Sequence, residues 1–308
     1  MRVAIVGAGG IGAPIGASLA KAGADVTFIA RGAHLAAMRA NGLRVEGDRG
    51  ETLIAPAQAT DDPASAGVMD YVLFCVKLWD VESAGVAIKP MIGPNTAVLP
   101  LQNGIDAPER LFTILGRDAV MGASAFVTGT IVAPGVVRQT GKYQTITFGE
   151  WDGAVSPRGE RLRDACAQAG FEGILSPDIT LAIWDKFIML APYGGVSAIT
   201  RLPVGKWRDD PDVFALYEGA LREVVATGFA RGVNFPADIV ARKIAFVHES
   251  FPPHHMASMA NDVVAGNRTE LDWLPGKIRE LGRAHGIATP FSDFLYAALK
   301  PHKDGQPV

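Results

Sequence analysis

Residues 4–20 read AIVGAGGIGAPIGASLA, and the folding of this stretch decides how the rest of the chain is read. The β-branched run at residues 2–6 leads straight into Gly7, Gly9 and Gly12, and a helical pattern follows over residues 11–22. Gly7 permits a tight turn, Gly9 lets a pyrophosphate approach the backbone, and Gly12 allows close packing of helix on sheet; the helix N-terminus attracts the phosphate charge. A glycine pattern alone is weak. The flanking strand and helix carry the assignment, which makes Gly7, Ala8, Gly9, Gly10, Ile11 and Gly12 a dinucleotide-binding loop.

Working outward, DVTFIA (25–30), DYVLFCV (70–76) and TAVLPL (96–101) are further apolar strands separated by helical patterns. This alternation predicts a parallel sheet with helices on both faces, an α/β Rossmann-type doubly wound fold. Residues 43–56, LRVEGDRGETLIAP, read as a hairpin turning at Gly47–Gly50. Residues 119–149 read as strands that extend the same sheet in antiparallel fashion, and 156–170 as a helix that closes this half. After SPDIT (176–180) strand signals nearly vanish, and helical patterns run over 179–191, 211–231, 236–248, 258–283 and 290–300. The expected organisation is a nucleotide-binding domain over 1–176 and an all-helical substrate and catalytic domain over 177–308.

The second strand ends at Arg31, where a site for NAD usually carries an acidic residue for the ribose hydroxyls. A guanidinium there favours a 2′-phosphate through charge-assisted hydrogen bonds, so the cofactor expected is NADP(H). A solvated arginine at the start of a loop is the rival reading. Lys77 and Asn103 stand at carboxyl ends of strands, where ligands bind in open α/β sheets.

Composition narrows the partners. The 308 residues are 48% hydrophobic and 20% charged with a formal charge of −3, so no overall basic field attracts nucleic acid or anionic lipid, and a small-molecule partner is expected. Cys75 and Cys166 are the only cysteines, which offers neither a disulfide framework nor a metal spacing. That usage, with no signal-peptide pattern in the opening residues, points to the cytoplasm. The segment HESFPPHH (248–255) looks like a histidine cluster, but Pro252 and Pro253 break the helix and no zinc spacing appears, so it reads as a loop.

LAIWDKFIMLAPYGG (181–195) is almost wholly apolar yet carries Asp185 and Lys186, the only charged side chains between Asp178 and Arg201. Those charges, with Pro192, Gly194 and Gly195, make the run a buried helix rather than a membrane span. An ammonium in such a helix is costly unless it is paired or used. It either snorkels to solvent, tied to Asp185 or another acid, or serves a reaction.

The chain resembles the ketopantoate reductase (2-dehydropantoate 2-reductase) family, within the wider 6-phosphogluconate-dehydrogenase-like group. The resemblance runs from the glycine loop through CVKLWD, PLQNGID, VAPGVVRQTGK and WDKF to SMANDVVAGNRTELDWLPGKIRELGRAHGIATP, nearly the full length. It implies that Lys186 is the catalytic lysine, Glu270 the active-site glutamate and Ser258 a serine that hydrogen-bonds the substrate carboxylate. It also places Lys77 and Asn103 along the cofactor cleft, the Thr128 backbone near the nicotinamide, Asn103 and His255 near the substrate, and Lys186 in an inter-domain cleft. The implied activity is NADPH-dependent reduction of a 2-oxo acid to a 2-hydroxy acid, ketopantoate to pantoate by default, in pantothenate biosynthesis. Lys186 would give the proton to the carbonyl oxygen, and Glu270 would stabilise its charge.

One departure stands out. The family usually has substrate-binding asparagines one and two helical turns after the lysine, and here those positions are Leu190 and Gly194. That departure predicts a substrate with a bulkier or more apolar side chain; the leading reading stays the family reaction, with reduction of another branched or aromatic 2-oxo acid, and less so a non-catalytic NADP(H)-binding redox sensor, as rivals. The apolar content of the helical domain adds a possible homodimer.

Overall fold

In the first half of the chain, strands that the sequence makes apolar along their whole length become the middle of a parallel sheet. The computed structural model describes residues 1–307. Strands β1 (Arg2–Val6), β2 (Asp25–Ile29), β3 (Leu43–Gly47), β4 (Thr52–Ile54), β5 (Ala59–Thr60), β6 (Tyr71–Phe74) and β7 (Ala97–Pro100) come first. They are followed by β8 (Gly122–Phe126), β9 (Gly129–Ala133), β10 (Val136–Gln139), β11 (Thr145–Gly149) and β12 (Glu172–Leu175). Helices α1 (Gly12–Lys21), α2 (Gly32–Asn41), α3 (Val81–Ala87), α4 (Ala107–Leu115) and α5 (Pro157–Gln168) lie among them.

The principal sheet has the order β5-β2-β1-β6-β7, every pairing parallel, with Val3 in register with Val26 on one side and Tyr71 on the other. All residues of β6 and β7 are buried, as a sheet covered on both faces requires. The strand order reverses between β1 and β6, so the loop after β1 opens at the topological switch point, where open α/β sheets bind ligands.

Three expectations are corrected, the third being the end of the helix that starts at Ile179. Residues 119–149 meet the principal sheet only through one parallel bridge, Val120 to Val98 of β7: β8 and β11 pair antiparallel but join β12 in a third sheet, and β9 and β10 join the β3–β4 hairpin in the order β4-β3-β10-β9. Strand β10 pairs in parallel with β3, far back in the chain, with Val137 opposite Val45. Nor is 258–283 one helix. It is α10 (Ser258–Ala265) and α11 (Pro275–His285), because Gly266 takes the left-handed conformation that ends the first and a short turn containing Glu270 follows.

The contacts divide the described chain into two units. The first comprises Met1–Gln102 and Asp106–Ala182, and the second comprises Asn103–Ile105 with the chain from Ile183 onward. The remaining helices are α6 (Ile179–Thr200), α7 (Val204–Trp207), α8 (Pro211–Ala230), α9 (Ile239–Glu249) and α12 (Pro290–Leu299). Helix α6 continues through Pro192 to Thr200, beyond the end its pattern suggested. Trp184, Phe187, Ile188, Tyr193 and Val196 are all buried, the signature of a helix enclosed by others. The Glu223 carboxylate on α8 accepts the backbone N–H groups of Phe291 and Ser292 at 2.7 and 2.8 Å, which satisfies otherwise orphaned donors at the start of α12. No helix among the described residues is long and apolar enough to cross a membrane.

Candidate active site

The glycine loop is shaped by close approaches on three sides. Gly7 has φ of +99°, and a Cβ there would lie 2.9 Å from the Cys75 carbonyl. A Cβ on Gly12 would lie 2.3 Å from the Gly7 oxygen, and one on Gly10 would lie 1.9 Å from the Gly129 oxygen. At Gly9, by contrast, a Cβ would meet nothing within 4 Å. That open backbone beside the N-terminus of α1 fits a bound pyrophosphate.

Arg31 is the residue just before α2, and its side chain is 73% exposed, with Nη2 3.2 Å from Asp80 Oδ2. A mostly exposed ion pair of this kind contributes about 0 to 1 kcal/mol, which a phosphate dianion outweighs. Lys77 follows β6, and its ammonium stands 5.5 Å from the centre of the Trp79 ring. Thr128, between β8 and β9, accepts the Thr140 backbone N–H at 2.9 Å and directly precedes Gly129, the residue against the loop.

In the second unit, Lys186 is 8% exposed and donates from Nζ to Asn103 Oδ1 at 2.9 Å. Its neighbour Asp185 is engaged elsewhere, accepting from Lys243 Nζ at 2.7 Å, so the two adjacent charges serve different partners. Burial lowers the Lys186 pKa to about 8, and the negative charge of Glu270 opposes that shift. Glu270 is itself 7% exposed, in the turn between α10 and α11. Lys186, Asn103 and Glu270 thus come from three separate places in the chain.

The remaining candidate residues divide by polarity. Leu190 is partly buried one turn beyond Lys186, and Gly194 is buried two turns beyond it, where a Cβ would touch Met259 and Leu274 at 3.5 and 3.6 Å. Ser258 is exposed as the first residue of α10. His255 is partly buried with Nδ1 2.7 Å from the Tyr193 hydroxyl, and burial and then His254 lower its pKa. Tyr193 lies seven residues, about two helical turns, after Lys186, and its part in holding His255 was not read from the sequence. Asp80 and His34 were also missed. His34 bonds to the glycine loop, and nothing in its local sequence distinguishes it from a surface histidine. Among the described residues, no group of three or more histidine, cysteine, aspartate or glutamate side chains is arranged to hold a metal.

A glycine loop at the switch point marks the first unit as a nucleotide-binding fold, and the helical unit carries a buried ammonium. Residues 3–153 match the family model described as Ketopantoate reductase PanE/ApbA, and residues 178–303 match its C-terminal counterpart. The 2-dehydropantoate 2-reductase of Mesorhizobium japonicum is 30% identical over 321 residues, covering 97% of each chain. The crystal structure of a PanE/ApbA family ketopantoate reductase from Ralstonia eutropha is 33% identical, with a TM-score of 0.89 and 98% of each chain covered. D-mandelate dehydrogenase, solved with NADH and anilino(oxo)acetate, shares the fold at a TM-score of 0.90 with 20% identity. The chain belongs to the ketopantoate reductase PanE/ApbA family. It is an oxidoreductase of 2-oxo acids that works with a nicotinamide cofactor.

Proposed function

We propose that the chain reduces a 2-oxo acid to the 2-hydroxy acid with NADPH, and that Lys186 is the general acid. The buried ammonium bonded to Asn103 carries this reading, because cofactor binding alone requires no such group. Bound NADPH supplies a hydride to the ketone carbon, and negative charge then develops on the carbonyl oxygen. With a pKa near 8, Lys186 is mostly protonated at neutral pH yet more acidic than a surface lysine, as a proton donor should be. Asn103 takes one of the three ammonium donors and so fixes the direction of the others. Glu270 keeps the ammonium charged between turnovers, and Ser258 is assigned to the substrate carboxylate.

Cofactor binding is assigned to residues 1–176 and catalysis to 177–308. The loop Gly7–Gly12 holds the pyrophosphate, Arg31 holds the 2′-phosphate, and Lys77, Asn103 and the Thr128 backbone serve the rest of the dinucleotide. The free thiols of Cys75 and Cys166 fit a reducing cytoplasm, and exposed Phe229, Phe246, Phe291 and Phe294 support a homodimer through the helical unit.

Ketopantoate is the family's substrate. A second reading, a substrate with a bulkier or more apolar side chain, is favoured by Leu190 and by Gly194, the latter beside Met259 and Leu274; these side chains offer no hydrogen bond to a substrate hydroxyl. NADPH oxidation with a panel of 2-oxo acids tests both readings. We expect branched or aromatic 2-oxo acids to match or exceed ketopantoate in kcat/KM. A preference for ketopantoate above roughly 100-fold over every apolar analogue would restore the ordinary family substrate. NADPH binding without turnover on any acid would leave a redox sensor.

A further inference from the structure

We infer that His34 is a positioning residue for the dinucleotide, acting through the peptide between Ala8 and Gly9. The inference rests on the reading that the glycine loop binds the cofactor. His34 lies in the first turn of α2, and its ring bridges two backbone segments. Nε2 stands 2.9 Å from the Ala8 carbonyl oxygen, and Nδ1 accepts the Gly135 N–H at 3.0 Å. One ring nitrogen faces an acceptor and the other a donor, so the neutral ring with its hydrogen on Nε2 satisfies both.

The consequence passes through peptide geometry. In a planar trans peptide the carbonyl and the following N–H point in opposite directions. By holding the Ala8 carbonyl toward α2, His34 turns the Gly9 N–H away from α2. Gly9 is also the loop residue whose backbone is open, with no atom within 4 Å of a Cβ position. The next residue is braced as well, since Gly10 packs on the Gly129 backbone, so no large shift of Gly10 can compensate for a rotated Ala8–Gly9 peptide. Without the His34 bond, rotation of that peptide exposes the Ala8 oxygen in place of the Gly9 N–H, and a carbonyl dipole then meets the pyrophosphate with the wrong sign.

The two ring nitrogens have separable roles, and substitution separates them. In His34→Gln the side-chain nitrogen reaches about as far as Nε2 and keeps the donor to Ala8. In His34→Asn the side-chain oxygen takes the place of Nδ1 and keeps only the acceptor for Gly135. The dissociation constant for NADPH, measured by fluorescence titration of the full chain, should rise about 3- to 10-fold in His34→Asn and His34→Phe, the loss of one net hydrogen bond. It should stay within about twofold of the native value in His34→Gln. Equal weakening in His34→Gln and His34→Asn, or native affinity in His34→Asn, overturns the inference; this pair decides it even if His34→Phe does not fold. A native chain that binds no NADPH dismisses the cofactor reading itself, whereas native binding with unchanged variants dismisses only the role of His34.

Discussion

The two units offer their candidate binding groups by opposite means. In the first, backbone does the work: Gly7, Gly9, Gly10 and Gly12 shape a cradle by lacking side chains, and Arg31 is the main charged group added to it. In the second, the proposed functional groups are side chains drawn from distant parts of the chain: buried Lys186 and Glu270, and partly buried Asn103. Backbone recognition is generic, because every dinucleotide presents the same pyrophosphate. Side-chain recognition is where the reaction and its substrate are specified, and it carries the larger desolvation cost.

The sharpest way to break this comparison is Lys186→Ala. Turnover of any accepted 2-oxo acid should fall ~10² to 10⁴-fold, while fluorescence titration finds NADPH binding close to native. Near-normal turnover at neutral pH would make Lys186 structural and leave the second unit without an acid. On the other side, Arg31→Ala should weaken NADPH by roughly 10- to 150-fold, the loss of ~1.5 to 3 kcal/mol of charge-assisted bonding, with NADH nearly unaffected. Equal weakening of both cofactors would remove the phosphate assignment.

A smaller effect tests whether the apolar helix face sets the substrate. Leu190→Asn should shift the ratio of kcat/KM toward ketopantoate and away from apolar 2-oxo acids by ~2- to 10-fold, the value of one added hydrogen bond. An unchanged ratio would mean that the substrate side chain lies elsewhere.

The subtlest prediction concerns pH. If protonated Lys186 is the acid, kcat for reduction falls as pH rises through about 8. Glu270 raises the Lys186 pKa, so Glu270→Gln should move that falling limb to lower pH. A limb that stays in place would assign it to another group.

Much of the fold was legible because its signals are local. Fully apolar strands alternating with helices, a glycine turn after the first strand, and the absence of strand patterns after residue 180 are all properties of short windows. The partners of β10 were not legible. Its sequence marks it as a strand but says nothing of β3, some ninety residues earlier, and pairing at that distance is decided by the assembled core. The break after α10 did carry a local sign, Gly266 followed by Asn267, which the apolar pattern on either side obscured.

The site divides in the same way. The loop and Arg31 could be read from spacing, and Lys186 announced itself as a charge in an apolar run. Its acceptor Asn103 lies 83 residues away; the end of a strand marked it as a candidate, but no local pattern paired it with Lys186. Tyr193 and His34 act through bonds to partners that no local pattern names.

The three residues Asn103–Ile105 group with the helical unit although the chain on both sides of them belongs to the nucleotide-binding one. A cut at the apparent linker therefore does not separate the two functions cleanly. Residues 177 onward, grafted onto a foreign nucleotide-binding half, would leave behind the side chain that receives the Lys186 hydrogen bond. Any exchanged cofactor half would have to bring its own segment equivalent to PLQNGID to keep that bond.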